Sequence, residues 1–102
     1  MTTRIQIDAE KLAELCRRYH VRQLAAFGSI LRDDFDPEHS DADFLVEFEP
    51  SPASVRVKDY FAMQEELVHL LGRPVDLVMA GAVRNPYILK NIREQQQILY
   101  AA

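Results

Sequence analysis

Gln23-Leu24-Ala25-Ala26-Phe27-Gly28-Ser29-Ile30-Leu31-Arg32 and, across an acidic loop, Ser40-Asp41-Ala42-Asp43-Phe44-Leu45-Val46-Glu47-Phe48 form the stretch on which the fold turns. Residues 23–27 are short and apolar and run into Gly28, which reads as a buried strand ending in a turn. Gly28-Ser29 then leads the chain into Ile30, Leu31 and Arg32, a short helical segment. A polar loop containing Pro37 follows. Residues 42–48 alternate as a second strand, with Phe44, Val46 and Phe48 on one face and Asp43, Leu45 and Glu47 on the other. Asp41 and Asp43 are two residues apart at the head of that strand, so both carboxylates share a face, about 6–7 Å apart at the backbone. At an effective dielectric near 20 they repel by roughly 2–3 kcal/mol. A cation offsets such repulsion, and Mg²⁺ commonly takes one or two carboxylates together with substrate phosphates.

Working outward, Asp8 is placed to cap a helix over residues 9–19, with Leu12, Leu15, Cys16 and Tyr19 on one face. The longest helix is expected over residues 55–71, with Val57, Tyr60, Phe61, Leu67, Val68 and Leu71 as its apolar stripe and Gly72 at its C-terminal cap. Residues 74–79 read as a third strand. Val75, Leu77 and Met79 share one face, and Asp76 and Val78 the other. Asn85-Pro86 opens a last helix, Asn capping and Pro at its first position, running to about Gln95. Ile98-Leu99-Tyr100 suggests a final short strand. The element order is that of an α/β (α+β) chain, without repeats, linkers or low-complexity segments.

Asp76 supplies a third carboxylate from a separate strand. Asp41, Asp43 and Asp76 together could hold two metal ions, an arrangement that clamps an in-line phosphoryl displacement. Gly28-Ser29 at a strand end, ahead of a helix, suits phosphate: Gly admits close backbone approach, while the Ser hydroxyl and free helix-start N–H groups hold phosphate oxygens. Neither Gly-Ser nor Asp-x-Asp is informative alone. Their order along strand, turn, helix, loop and strand carries the information.

Composition narrows the class. A chain of 102 residues is expected to form one domain, 1–102, with little left for a second lobe. Hydrophobic residues make up 48%, which excludes a disordered chain. No apolar run is long enough to span a membrane, and no signal-peptide pattern opens the chain. Cys16 is the only cysteine, which excludes an internal disulfide and fits a reducing cytoplasm. The net charge of −4 argues against a dedicated nucleic-acid binder. Eight of the sixteen acids fall between Asp33 and Glu49, with no Lys or Arg among them. His20, His39 and His69 lack metal-ligand spacing and are expected to be structural or exposed. Arg17, Arg18 and Arg22 form a small basic cluster, a solvated face or part of a partner surface. The absence of a Gly-x-x-x-x-Gly-Lys pattern excludes a P-loop.

The run Phe27 to Phe35, followed by Ser40 to Phe48, resembles the signature of minimal nucleotidyltransferases of the DNA-polymerase-β-like superfamily. Val75-Asp76-Leu77-Val78 resembles that family's third-carboxylate strand, and Asn85-Pro86-Tyr87 through Ile98-Leu99-Tyr100 its C-terminal end. The likeness spans roughly Leu12 to Tyr100. It implies a small mixed sheet flanked by helices. It also implies that Gly28 and Ser29 contact nucleotide phosphates, that Asp41 and Asp43 ligate Mg²⁺, and that Asp76 completes the metal site and helps activate the attacking hydroxyl. Arg32 either reaches a phosphate or pairs with Asp34. One departure is visible: eleven residues separate Ser29 from Asp41, slightly more than is usual in the family, and the excess falls in the loop around Asp36 to His39.

The resemblance implies a Mg²⁺-dependent enzyme moving AMP or another NMP from ATP to a hydroxyl. The implied acceptor is a Tyr on a cognate HEPN-type ribonuclease toxin, so that the enzyme acts as antitoxin. The alternative is a catalytically silent antitoxin that neutralises its toxin by binding alone. The intact carboxylate set favours the enzyme. An Asp-x-Asp hydrolase would carry its pair at the end of the first strand, not the head of the second. The Arg17, Arg18 and Arg22 cluster and the exposed side of the 55–71 helix are candidate docking surfaces.

Overall fold

A computed structural model describes residues 7–28 and 41–102 of the chain. Ser29, Arg32, His39 and the helical segment expected at residues 30–32 lie outside the described residues. The elements are helix α1 (Ala9–Arg18), strands β1 (Val21–Phe27) and β2 (Ala42–Phe48), helix α2 (Ala53–Leu71), strand β3 (Val75–Met79), helix α3 (Pro86–Gln95) and strand β4 (Gln97–Ala101). A short 3₁₀ turn, Ala80–Ala82, follows β3.

Local chemistry sets the helix ends. The Asp8 carboxylate accepts hydrogen bonds from the N–H groups of Glu10 and Lys11, satisfying two orphan donors at the start of α1. Asn85 does the same for Tyr87 and Ile88 at α3, behind Pro86 in the first turn. Gly72 stops α2 in the left-handed conformation at φ +67°, and its N–H donates to the Val68 carbonyl.

The strands form one mixed sheet in the order β3-β2-β1-β4. β1 runs antiparallel to β2 and to β4, while β2 and β3 are parallel. A parallel pair needs a crossover, and α2 supplies it. One face of the sheet carries the core: Leu24, Ala26, Phe44, Val46 and Leu77 meet Leu12, Leu15 and Cys16 of α1 and Met63 and Leu67 of α2. Cys16 is fully buried there, as expected of a small core residue, and burial pushes its thiol up to about 12 against a weaker pull from Arg17.

The stripe expected for α2 holds for Leu67, which is buried, and for Tyr60, Val68 and Leu71, which pack against the core. It is corrected at Val57, 50% exposed, and Phe61, 64% exposed, while Asp59 and Met63 are buried. Apolar residues lie on two sides of this helix, so periodicity alone did not select the inner one. Tyr60 and Gln64 instead reach the edge strand, Tyr60 Oη donating to the Leu77 carbonyl at 2.6 Å and Gln64 Nε2 to that of Val75 at 3.3 Å. An open sheet edge is thereby blunted by side chains. Asp59 is buried because His20 meets it, Nδ1 to Oδ2 at 3.0 Å. His20 takes φ +62° in the turn between α1 and β1, and its carbonyl accepts from the Glu49 N–H. Its role is structural, as the absence of ligand spacing suggested.

Among the described residues the other face of the sheet is more thinly covered. Ala25 and Leu45 are buried on it, but α3 has no buried residue of its own. Arg93 of α3 lies 3.6 Å from Glu47, which places the helix over the Glu47 side of this face. Among the described residues no helix is long and apolar enough to cross a membrane.

Candidate active site

The head of β2 and the head of β3 are laced together, with the Ala42 N–H donating to the Pro74 carbonyl at 3.2 Å. The parallel register that follows pairs Asp43 with Asp76. Laterally paired residues present their side chains to the same face, with strands about 4.8 Å apart. Two carboxylates therefore stand side by side across the β2/β3 pair. This is the like-charge arrangement that weakens a sheet. At an effective dielectric near 20 the repulsion is on the order of 1–3 kcal/mol, at the lower end because Asp76 faces solvent.

Asp43 is also paired with Phe27, the last residue of β1, so Gly28 arrives beside it. Gly28 has φ +72°, and a Cβ placed on it would lie 2.5 Å from Asp43 Oδ2 and 3.4 Å from its Cγ. Glycine is thus required twice, by the left-handed backbone and by the carboxylate lying against its α-carbon. The sequence indicated close backbone approach at Gly28. The neighbour that demands it is Asp43.

Asp41 is exposed and stands one residue before β2, on the Asp43 face by strand periodicity. Gly28, Asp41, Asp43 and Asp76 therefore share one end of the sheet. Ser29 and Arg32 fall outside the described residues. Among the described residues, no three His, Cys, Asp or Glu side chains are gathered closely enough to hold an ion by themselves. Asp43 and Asp76 are register partners, and their donors are hard oxygens. Such a pair suits Mg²⁺ in its usual mode, in which substrate phosphates and water complete the shell. A 390 Å³ cleft opens at the opposite end of the same strands, lined by Val46, Glu47, Phe48, Arg56, Met79 and the Ala80–Ala82 turn. None of the four site residues lines it.

The register across β2 and β3 was not readable from the sequence, which gave Asp76 a face but no partner. The link from Glu47 to Arg93 was likewise missed, because it joins a strand to a helix 46 residues later.

The model of the nucleotidyltransferase domain matches residues 9–99, nearly the whole chain. A Methanocaldococcus jannaschii protein, provisionally named a protein adenylyltransferase, is 44% identical over 80 residues, 78% of each chain. The protein adenylyltransferase MntA of Thermococcus cleftensis is 37% identical over 81 residues, covering 79% of this chain and 78% of its own. The crystal structure of a toxin–antitoxin pair with AMP-PNP aligns with a TM-score of 0.69 at 18% identity, over 94% of this chain and 75% of that one. At that identity the structural likeness speaks for the fold, and it agrees with the mixed sheet and flanking helices found here.

Proposed function

The chain belongs to the nucleotidyltransferase domain family and is an enzyme of that class, and from this premise we propose that it transfers AMP from ATP to a hydroxyl of a partner protein. The observation that carries the reading is the side-by-side placement of Asp43 and Asp76 with Gly28 against the Asp43 carboxylate. A cation bound with the nucleotide would offset the repulsion between these two register-paired carboxylates.

Asp43 and Asp76, with Asp41 at the rim, would hold Mg²⁺. Bound there, Mg²⁺ would supply charge neutralisation and Lewis acidity to the triphosphate. Gly28 and Ser29 hold the phosphates, and Arg32 lends charge to them or pairs with Asp34. The acceptor oxygen bonds to the α-phosphorus, the bond from that phosphorus to the bridging oxygen breaks, and pyrophosphate leaves with the electron pair. Asp76 takes the hydroxyl proton as general base. Asp76 is suited to this because it is exposed while Asp43 is half-buried.

The acceptor reading has two supports. Orientation of the acceptor supplies much of the rate, and a partner protein would present its own hydroxyl in a fixed place. The relatives are named as adenylyltransferases that act on proteins, and the AMP-PNP structure is of a toxin–antitoxin pair. We therefore assign the acceptor to a Tyr of a cognate HEPN-type toxin, with this chain as a cytoplasmic antitoxin. The test is co-expression with the neighbouring gene product, purification of the complex and intact-mass measurement with and without ATP–Mg²⁺. An added AMP on the partner, lost with Asp43→Asn, supports transfer. A stable complex without the adduct supports the second reading, an antitoxin acting by binding alone. No complex removes the partner assignment.

A further inference from the structure

Helix α2 carries a flank that the molecule covers only in part: Val68 packs at the rim of the core and Gln64 donates to the Val75 carbonyl, while Val57 and Phe61 stay exposed. Val57, Phe61, Gln64 and Val68 follow spacings of four, three and four, which keeps them along one flank of a helix. Val57 is 50% exposed and Phe61 64%, while Gln64 and Val68 are half-buried at the β3 edge. The Phe61 ring is held edge-on against Tyr60, with centroids 5.3 Å apart, and Tyr60 is itself anchored to the Leu77 carbonyl. An exposed aromatic on a fixed neighbour is a preorganised contact.

The charges beside this flank identify what covers it. Lys58 and Glu65 are both exposed and lie next to Val57, Phe61 and Val68 on the helix surface. They are seven residues apart, about 10 Å along the axis, too far to pair within one helix. In an antiparallel crossing of two α2 helices about a two-fold axis near residues 62 and 63, Val57 meets Val68 of the second copy and Phe61 meets its Gln64. Lys58 then faces Glu65 of the second copy, and Glu65 faces its Lys58. The arrangement closes on itself, so it yields a dimer and not a filament.

We propose that this chain associates with a second copy of itself through the Val57–Phe61–Gln64–Val68 flank of α2, with reciprocal Lys58–Glu65 pairs setting the antiparallel register. Among the described residues, the other exposed large apolar side chains are Val55 on α2 and Tyr87, Ile88 and Ile98 on α3 and β4. Because α2 packs on the sheet face opposite Asp43 and Asp76, the dimer leaves the candidate active site open. The proposal does not depend on the acceptor or on catalysis.

The experiment is sedimentation equilibrium of the purified chain over a hundredfold concentration range. The wild type is expected to dimerise reversibly, and Phe61→Lys to remain a monomer throughout. Lys58→Glu is expected to weaken the dimer about tenfold or more, since it places like charges opposite each other at two symmetric points. The double variant Lys58→Glu with Glu65→Lys restores the pairing and returns affinity to near wild type. All substituted side chains are exposed, and unchanged thermal melts of dilute samples would confirm that each variant folds. A wild type that is monomeric at every concentration overturns the proposal, as does a dimer that survives Phe61→Lys. Failure of the double variant to recover overturns the antiparallel register.

Discussion

The two faces of the sheet were built to different standards. On one, Phe44, Leu24, Val46 and Ala26 are each fully buried under two helices. On the other, among the described residues, helix α3 without one buried residue shares the surface with Asp43, Asp76 and Glu47. The first face supplies most of the stability through apolar area removed from water. The second places like charges next to each other, at a cost that a bound cation would offset. A domain of this size can carry such a site because the cost is confined to the end of the sheet farthest from what α3 covers.

The sharpest way to break this comparison is to truncate one residue on each face. Phe44→Ala should lose about 3–5 kcal/mol of folding stability, by urea denaturation, because it empties a fully enclosed position. Ile88→Ala on α3, already 53% exposed, should lose less than about 1 kcal/mol. Equal losses would mean that the second face is as well packed as the first.

At the site itself, Gly28→Ala should reduce transfer by about a hundredfold or more, since a methyl group displaces the Asp43 carboxylate. The left-handed backbone adds a stability loss of about 1–2 kcal/mol. Nucleotide transfer assays with melting curves separate the two effects, and near-normal turnover would show that Asp43 can move without consequence. Asp43→Asn should abolish metal-dependent transfer while the chain still melts cooperatively, which the same two measurements check.

The smallest effect belongs to Cys16 beneath the core face. Its thiol pKa is about 12 when folded, against an ordinary value of 9.0. Between those values the unfolded chain releases the proton and the folded chain retains it, so stability falls as pH rises above 9. Denaturation at pH 8 and pH 10.5 should show a steeper fall for wild type than for Cys16→Ala. Alkylation of the thiol should proceed only as fast as the chain unfolds. Rapid labelling of the folded protein would show the core face to be more open than its packing indicates.

Much of the chain was determined locally and was therefore legible. Asp8, Gly72 and Asn85 set helix ends through bonds to their own neighbours. Strand alternation put Asp43 opposite Phe44 in facing, and Val75 and Leu77 opposite Asp76, because a period of two needs no distant information. Leu12, Leu15 and Cys16 marked the inner side of α1 for the same reason, apolar residues there being confined to one arc. What tertiary structure decided is the pairing of elements whose local signals were ambiguous or silent. Helix α2 has apolar residues around much of its circumference, and only docking on the sheet set Met63 beside the expected Leu67 and left Val57 and Phe61 outside. His20 and Asp59 became partners across 39 residues. The parallel register brought Asp76 level with Asp43. A sequence fixes which face a side chain takes, since that follows from backbone geometry at one residue. It does not state how far one strand slides along another, because that offset is set by the summed packing of the whole core.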